Sequence, residues 1–351
     1  MKLNIVKEMT EPEYRKLPYL SYSLLAGVDK SPANINRDNF EMTSSLIYGS
    51  AVDVLAFDGK EEFKKKFAVL DHNAPSDAVK KIVDEVFERN ESREKTGFLL
   101  TEINSLDSPL LDNEIYEVAR GQDYGAANWK KETIIGKVRK EGTKYFDFLS
   151  ENKGKLMLDG FMYEKARNSV KTLYEHEFTR SYMNPEDGVE IFFQFPIIWS
   201  YKGFDCKSLL DIFIIDHNKQ MIKPVDLKTS FDDVMYFPVN YIKWKYYIQA
   251  AFYSRAVSYL KLKHPQLLNY AVDYFKFIVI SSNNPIKPLV YTTTDQDLEY
   301  GEYGGTLRNG QEVKGFDQLI DDYRWHIENG KYQYPREVYE KNGELEFKVW
   351  S

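Results

Sequence analysis

Three β-type segments crowded together in the middle of the chain limit its fold more than any other feature. Residues 189–199 (VEIFFQFPIIW), 204–215 (FDCKSLLDIFII) and 221–229 (MIKPVDLKT) are rich in β-branched and aromatic side chains. The joints at 200–203 and 216–220 are short enough for hairpins, so the three read as an antiparallel meander. On the N-terminal side, residues 1–60 read as short helices, with Ser21, Ser23 and Ser31-Pro32 as start signals. Residues 44–57 (SSLIYGSAVDVLAF) form a helix with small residues at its centre, and 61–185 are charged and mostly helical in pattern, with loops near 71–77, 104–109 and 121–128. On the C-terminal side the pattern predicts a long amphipathic helix over 241–263, strands over 272–281 and 288–294, and a helix over 315–329. The order helix, three strands, helix, strand specifies an α/β fold: a central mixed sheet flanked by helices, with a helical N-terminal elaboration. The boundaries fall at 1–185 for the mostly helical part, which contains the first core helix, 186–330 for the core, and 331–351 for a polar tail.

Composition narrows the function classes. A chain of 351 residues exceeds what one ordinary core needs, so one elaborated domain or two small ones are expected. Hydrophobic residues at 43% fill an interior, and charged residues at 29%, spread along the chain, fit a soluble globule. No apolar run approaches the ~20 residues that span a bilayer. The start, MKLNIVKEMTEPEY, lacks the apolar centre of a signal peptide. The single cysteine, Cys206, excludes an internal disulfide framework and a four-cysteine metal site. A reduced, cytoplasmic protein with no membrane partner is the expectation. The net charge of −7 argues against a histone-like DNA coat but leaves room for a local basic groove.

The chemistry-bearing residues lie on the second and third segments. A tight turn centred on Asn218-Lys219 places Asp211 directly opposite Asp226. Period-two alternation then puts Asp226 and Lys228 on one face, with Val225 and Leu227 on the other. Opposed carboxylates repel, and the neighbours Leu210, Ile212 and Val225 deepen that cost by excluding water. Such a pair persists when a cation lies between its members or when one is protonated. A hard divalent ion, Mg²⁺ or Mn²⁺, suits all-oxygen ligands. Lys228 stands ~7 Å along the strand from Asp226, within reach of a water or phosphate at the metal. Any D-x-K tripeptide alone is common; the opposed aspartate within apolar strands gives this one its weight. On the following helix, Lys245, Gln249 and Tyr253 recur at four-residue spacing and share a face suited to phosphate and sugar.

Asp211, the run Val225-Asp226-Leu227-Lys228-Thr229 and the run Gln249-Ala250-Ala251-Phe252-Tyr253 together resemble the RecB-like branch of the PD-(D/E)xK nucleases. Leu20-Ser21-Tyr22-Ser23, Lys30-Ser31-Pro32-Ala33 and Trp129-Lys130-Lys131 are similar to its RecE (exodeoxyribonuclease VIII) group of phage and prophage exonucleases, and the resemblance spans residues 17–281. It implies a restriction-endonuclease-like core, with Asp211 and Asp226 as metal ligands and Lys228 acting on the attacking water. It also implies supporting or DNA-contacting roles for Gln249 and Tyr253, and a supporting role for Glu190. Where the family carries G-x-x-x-H with a metal-binding histidine, this chain has Gly49-Ser50-Ala51-Val52-Asp53, so Asp53 becomes a third oxygen ligand. The histidines at 72, 176, 217, 264 and 326 offer no alternative cluster. The implied activity is 5′-to-3′ digestion of double-stranded DNA by a homo-oligomer, a ring in such relatives, beside a single-strand annealing protein of recombination. The alternatives are a nicking or structure-specific endonuclease of the same fold, and a catalytically silent DNA-binding module.

Overall fold

The computed structural model describes residues 9–36, 42–70, 75–96, 103–283 and 286–346. The first eight residues, His72 and the last five residues of the tail lie outside the described residues. The chain forms two units, Met1–Phe57 with Lys165–Ser351, and Asp58–Glu164. The first unit opens with α1 (Glu11–Lys16), α2 (Tyr22–Lys30) and α3 (Ser44–Asp53). Ser21 caps α2 by accepting from Leu24 N–H, as its start signal requires.

The second unit comprises α4 (Lys60–Lys66), β1 (Phe67–Leu70), α5 (Asp77–Lys95), α6 (Asp112–Gly121), α7 (Lys131–Glu151) and β2 (Leu156–Asp159). β1 and β2 pair in parallel, with Phe67 opposite Leu156. Apolar stripes of α5, α6 and α7 meet in a separate core built on Val79, Ile82, Ile115, Ile134, Val138 and Phe146.

The chain continues through α8 (Gly160–Glu175) and α9 (Arg180–Met183) into β3 (Val189–Tyr201), β4 (Phe204–Asp216) and β5 (Met221–Ser230). α10 (Phe237–Lys243) and α11 (Tyr246–Lys263) follow, then β6 (Ala271–Val272), β7 (Lys276–Ser281) and β8 (Pro288–Thr292). α12 (Asp295–Tyr303), the short pair β9 (Gly305–Thr306) and β10 (Glu312–Val313), α13 (Phe316–Asn329) and α14 (Arg336–Glu340) complete it.

The main sheet runs β3-β4-β5-β7-β8, with β6 beside the start of β5. β3, β4 and β5 form the expected antiparallel meander, β5 and β7 pair in parallel, and β7 and β8 pair antiparallel. The sheet is mixed because α11 carries the chain back between β5 and β7. The fold is therefore α/β with a central mixed sheet flanked by helices, and α3-β3-β4-β5-α11-β7 reproduces the expected αβββαβ order. Pro224 would be out of place in a central strand, yet on the edge away from β4 it falls between the stretches of β5 that pair with β6 and with β7, where neither strand pairs with it.

Ile248, Ala251, Phe252 and Ala256 of α11 pack onto Phe195, Trp199, Leu210 and Phe213 of the sheet, and Phe316 and Leu319 of α13 close the same core. Sequence periodicity predicted one helix over 241–263. The structure instead has two, because Lys245 takes a left-handed backbone (φ 58°) and turns the chain before α11 begins. Among the described residues no helix is long and apolar enough to cross a membrane.

Candidate active site

The β4–β5 ladder has the register read from the sequence: Ile212 faces Val225, Phe213 faces Pro224 and Asp216 faces Met221. The turn is longer than a two-residue hairpin, running from His217 to Gln220, and Asp216 braces it by accepting from Lys219 N–H. The ladder stops at Ile212–Val225, one step short of the two aspartates. There Asp211 Oδ2 accepts from Leu227 N–H at 2.8 Å, so a side chain takes the place of a backbone partner.

Asp211 sits where two strands change face together. Cys206, Ser208 and Leu210 of β4 point into the α11 side of the sheet, and so do Phe213 and Ile215; alternation slips by one between Leu210 and Phe213. β3 slips in the same way between Phe192 and Phe195. At the slip, Gln194 adopts φ 48°, a left-handed conformation that costs a non-glycine residue about 1–3 kcal/mol. Gln194 Nε2 donates to Asp211 Oδ1 at 3.0 Å. The strained backbone thus delivers an amide to the carboxylate. A single glutamine inside FFQFP is the signal that sequence reading passed over.

On β5, Asp226 is 2% exposed and Gln249 of α11 donates to its Oδ1 at 2.6 Å. Asp226 Oδ2 is buried and its one polar partner is the Lys228 ammonium, with which it forms an ion pair. The Lys228 ammonium also lies 4.8 Å from the Tyr246 ring centre, a cation–π contact that the sequence reading did not name. Tyr253 stands one helical turn beyond Gln249, within hydrogen-bonding reach of it.

Asp53 closes α3, and a turn of π-helix, Val54–Asp58, follows it. α3 comes close to β5 through Gly49, where an added Cβ would lie 3.2 Å from Thr229 Oγ1. Gly49→Val is accordingly expected to push α3 off the sheet and to cost about 1–3 kcal/mol. A lower urea midpoint with an unchanged m-value checks this.

The electrostatics tie these groups into one cluster. Burial drives the Asp53 carboxyl up to about 7, with Lys228 opposing and Asp226 reinforcing that rise. Burial also holds the Asp211 carboxyl well above the ordinary range, and Asp226 and Asp53 push it further. For Lys228 burial works against the charged form, but Asp226, Tyr246 and Asp211 more than offset it and raise the pKa. Three carboxylates and one ammonium therefore feel one another strongly.

The donor type fits a hard divalent cation, because every carboxylate supplies oxygen, and a cation at Asp226 Oδ2 would share that atom with the Lys228 ammonium. Among the described residues no three His, Cys, Asp or Glu side chains form a ready ligand group. The Asp211 and Asp226 oxygens are instead directed at Gln194, Leu227, Gln249 and Lys228.

Two sequence-predicted residues stand apart. Glu190 lies four strand positions from Gln194, ~13 Å along β3. There its carboxylate meets His217 Nε2 at 2.6 Å, and His217 Nδ1 meets Tyr270 Oη at 2.8 Å. Lys245 precedes α11 rather than extending its face, and its ammonium pairs with Asp29 of α2.

No protein-family profile and no curated protein matches the chain. Among solved structures it is similar to a Eubacterium rectale protein named "Putative exonuclease", with 12% identity, 89% of this chain and 97% of that chain covered, and a TM-score of 0.34. An overlap at that level adds no weight to any functional reading, which rests on the side chains above.

Proposed function

We propose that this chain is a metal-dependent deoxyribonuclease, with Asp53, Asp211 and Asp226 holding Mg²⁺ or Mn²⁺ and Lys228 acting on the attacking water. The observation that carries the reading is the Asp211–Asp226 pair with Lys228, enclosed between strained β3 and helix α11. A divalent cation bound there would polarise the scissile phosphate and lower the pKa of a bound water. Lys228 reaches the site as an ammonium paired with Asp226, a group able to donate. It orients the water or a non-bridging oxygen and stabilises charge that develops on phosphorus. Gln194 and the Leu227 N–H fix Asp211, and Gln249 fixes Asp226; these are positioning residues. Water oxygen bonds to phosphorus, the P–O3′ bond breaks, the 3′ oxygen takes up a proton, and the product carries a 5′ phosphate.

The resemblance extends the proposal to a 5′-to-3′ exonuclease on double-stranded DNA. In that setting it would work as a homo-oligomer, a ring threaded by duplex, with a single-strand annealing protein in phage-type recombination in a bacterial cytoplasm. The test is digestion of end-labelled linear duplex with Mg²⁺ or Mn²⁺, set beside closed circular DNA. Mononucleotide release from the linear form alone is the expected result. Nicking of the circle would replace the exonuclease with an endonuclease, and inert DNA in both forms would remove the catalytic reading.

Asp53 gives a graded test. Asp53→Ala should raise the Mg²⁺ needed for half-maximal activity, and Asp53→His should shift preference toward Mn²⁺, which accepts nitrogen more readily. An unchanged metal titration in Asp53→Ala would leave Asp53 as a helix residue only.

A further inference from the structure

The second unit contains a cleft of about 510 Å³ between α4, β1 and the start of α8. No residue of this cleft belongs to the first unit, so it is distinct from the carboxylate cluster. Its floor is aromatic. Phe63 stacks on Phe67 with ring centres 4.7 Å apart and meets Tyr163 at 5.2 Å. Phe63 and Phe67 are buried, whereas Tyr163 keeps part of its surface open. Its rim is basic: Lys60, Lys64 and Lys155 line the opening against one acid, Glu164. Among the described residues Lys60 and Lys155 have no carboxylate partner, and Lys155 donates instead to Asn152 Oδ1 at 3.2 Å. Lys64 pairs with Glu61 at 2.8 Å, but both side chains are exposed, and such pairs exchange cheaply for a stronger anion.

We infer that this cleft binds a single strand of DNA, with phosphates at Lys60, Lys64 and Lys155 and an unstacked base against Tyr163. Charge complementarity selects the class of ligand. The whole chain carries −7 and repels a polyanion, so a local excess of lysine around a concave surface marks where one can land. The aromatic floor selects the form. A base in duplex DNA presents only its edges, whereas an unpaired base offers a face that stacks on tyrosine without regard to sequence. A volume of about 510 Å³ suits one nucleotide at a time rather than a double helix. The choice of DNA rests on the nuclease reading, in which digestion of one strand leaves the other unpaired.

The test is fluorescence anisotropy of a short labelled oligothymidylate with the full chain in EDTA, across a salt series. The double variant Lys60→Gln/Lys155→Gln is expected to bind about tenfold more weakly and to flatten the log K against log salt slope by about 1.4, from two lost phosphate contacts. Tyr163→Ala should weaken binding with the slope unchanged, and Tyr163→Phe should restore it. Lys60→Arg/Lys155→Arg should retain binding, which separates charge from folding damage. Unchanged affinity and slope in the glutamine pair overturns the inference. So does thymidine 5′-monophosphate or inorganic phosphate binding as tightly as the strand, because the cleft would then be a small-anion site. The reading is independent of catalysis: Asp226→Asn should still bind. A chain that cleaves nothing yet loses strand binding in the glutamine pair defeats the nuclease proposal and leaves the cleft standing. Metal-dependent cleavage with indifferent lysines does the reverse.

Discussion

Asp226→Ala and Lys228→Ala should each lower metal-dependent cleavage of linear duplex DNA by about a hundred- to a thousandfold, the scale on which loss of one electrostatic contribution to the transition state is felt. Asp226 is buried and Lys228 half-buried against it, so truncating Lys228 leaves an uncompensated carboxylate in the interior, a change that alone costs about 3–5 kcal/mol. The decisive variants are Asp226→Asn and Lys228→Met, which leave the same lone partner charge but add no cavity to its cost. Both should fold, as read by circular dichroism, and both should be inactive in release of end label. Gln249→Ala should fall between them and wild type, because it acts on Asp226 through one hydrogen bond and touches no reacting atom. Its loss should be larger in kcat than in KM. Full activity in either charge-removing variant would end the assignment of the site.

Much of this site was readable in the sequence, and the reasons are local. The β4–β5 register was read from a turn centred on Asn218-Lys219, and the core holds it in place: moving either strand by one residue would turn Phe213 and Ile215 out of the core. Asp211 and Asp226 were conspicuous because they interrupt such segments. Other features were invisible for equally physical reasons. Gln194 matters through a left-handed backbone and a face switch shared by two strands, and neither leaves a periodic signature. The break at Lys245 was hidden because Trp244 and Lys245 are ordinary helix residues by propensity; the turn is held by tertiary pairs, Lys245 with Asp29 and Tyr22 Oη with Trp244 O at 2.7 Å. Glu190 shares a strand with Gln194, and sequence gives no measure of how far along the strand the chemistry lies. The resemblance suggested its role, and distance separates it from the cluster.

The last expectation concerns stability and needs no substrate. Asp53 and Asp211 have carboxyls pushed upward by burial and by their neighbours, Asp53 to about 7. In the unfolded chain an aspartate titrates near ~3.9. The folded form therefore holds protons that the unfolded form has released. Their stabilising effect is complete below the unfolded pKa and disappears as pH rises through about 7. In EDTA the protein should consequently melt lower at alkaline pH than at mildly acidic pH. A divalent cation removes the repulsion that causes the loss, and adds about 2.7 kcal/mol when present at a hundred times its dissociation constant. Its gain in melting temperature should be largest where EDTA melting is lowest. Asp211→Asn subtracts one charge and keeps the shape. The asparagine oxygen can still accept from Leu227 N–H, and Gln194 can turn its amide to accept from the new NH₂ group. In EDTA at alkaline pH this variant should melt several degrees above wild type, depend less on pH, and gain less from Mn²⁺ or Mg²⁺. An Asp211→Asn protein that melts no higher than wild type in EDTA, with the full response to metal, would show that the paired carboxylates are not where the cation binds.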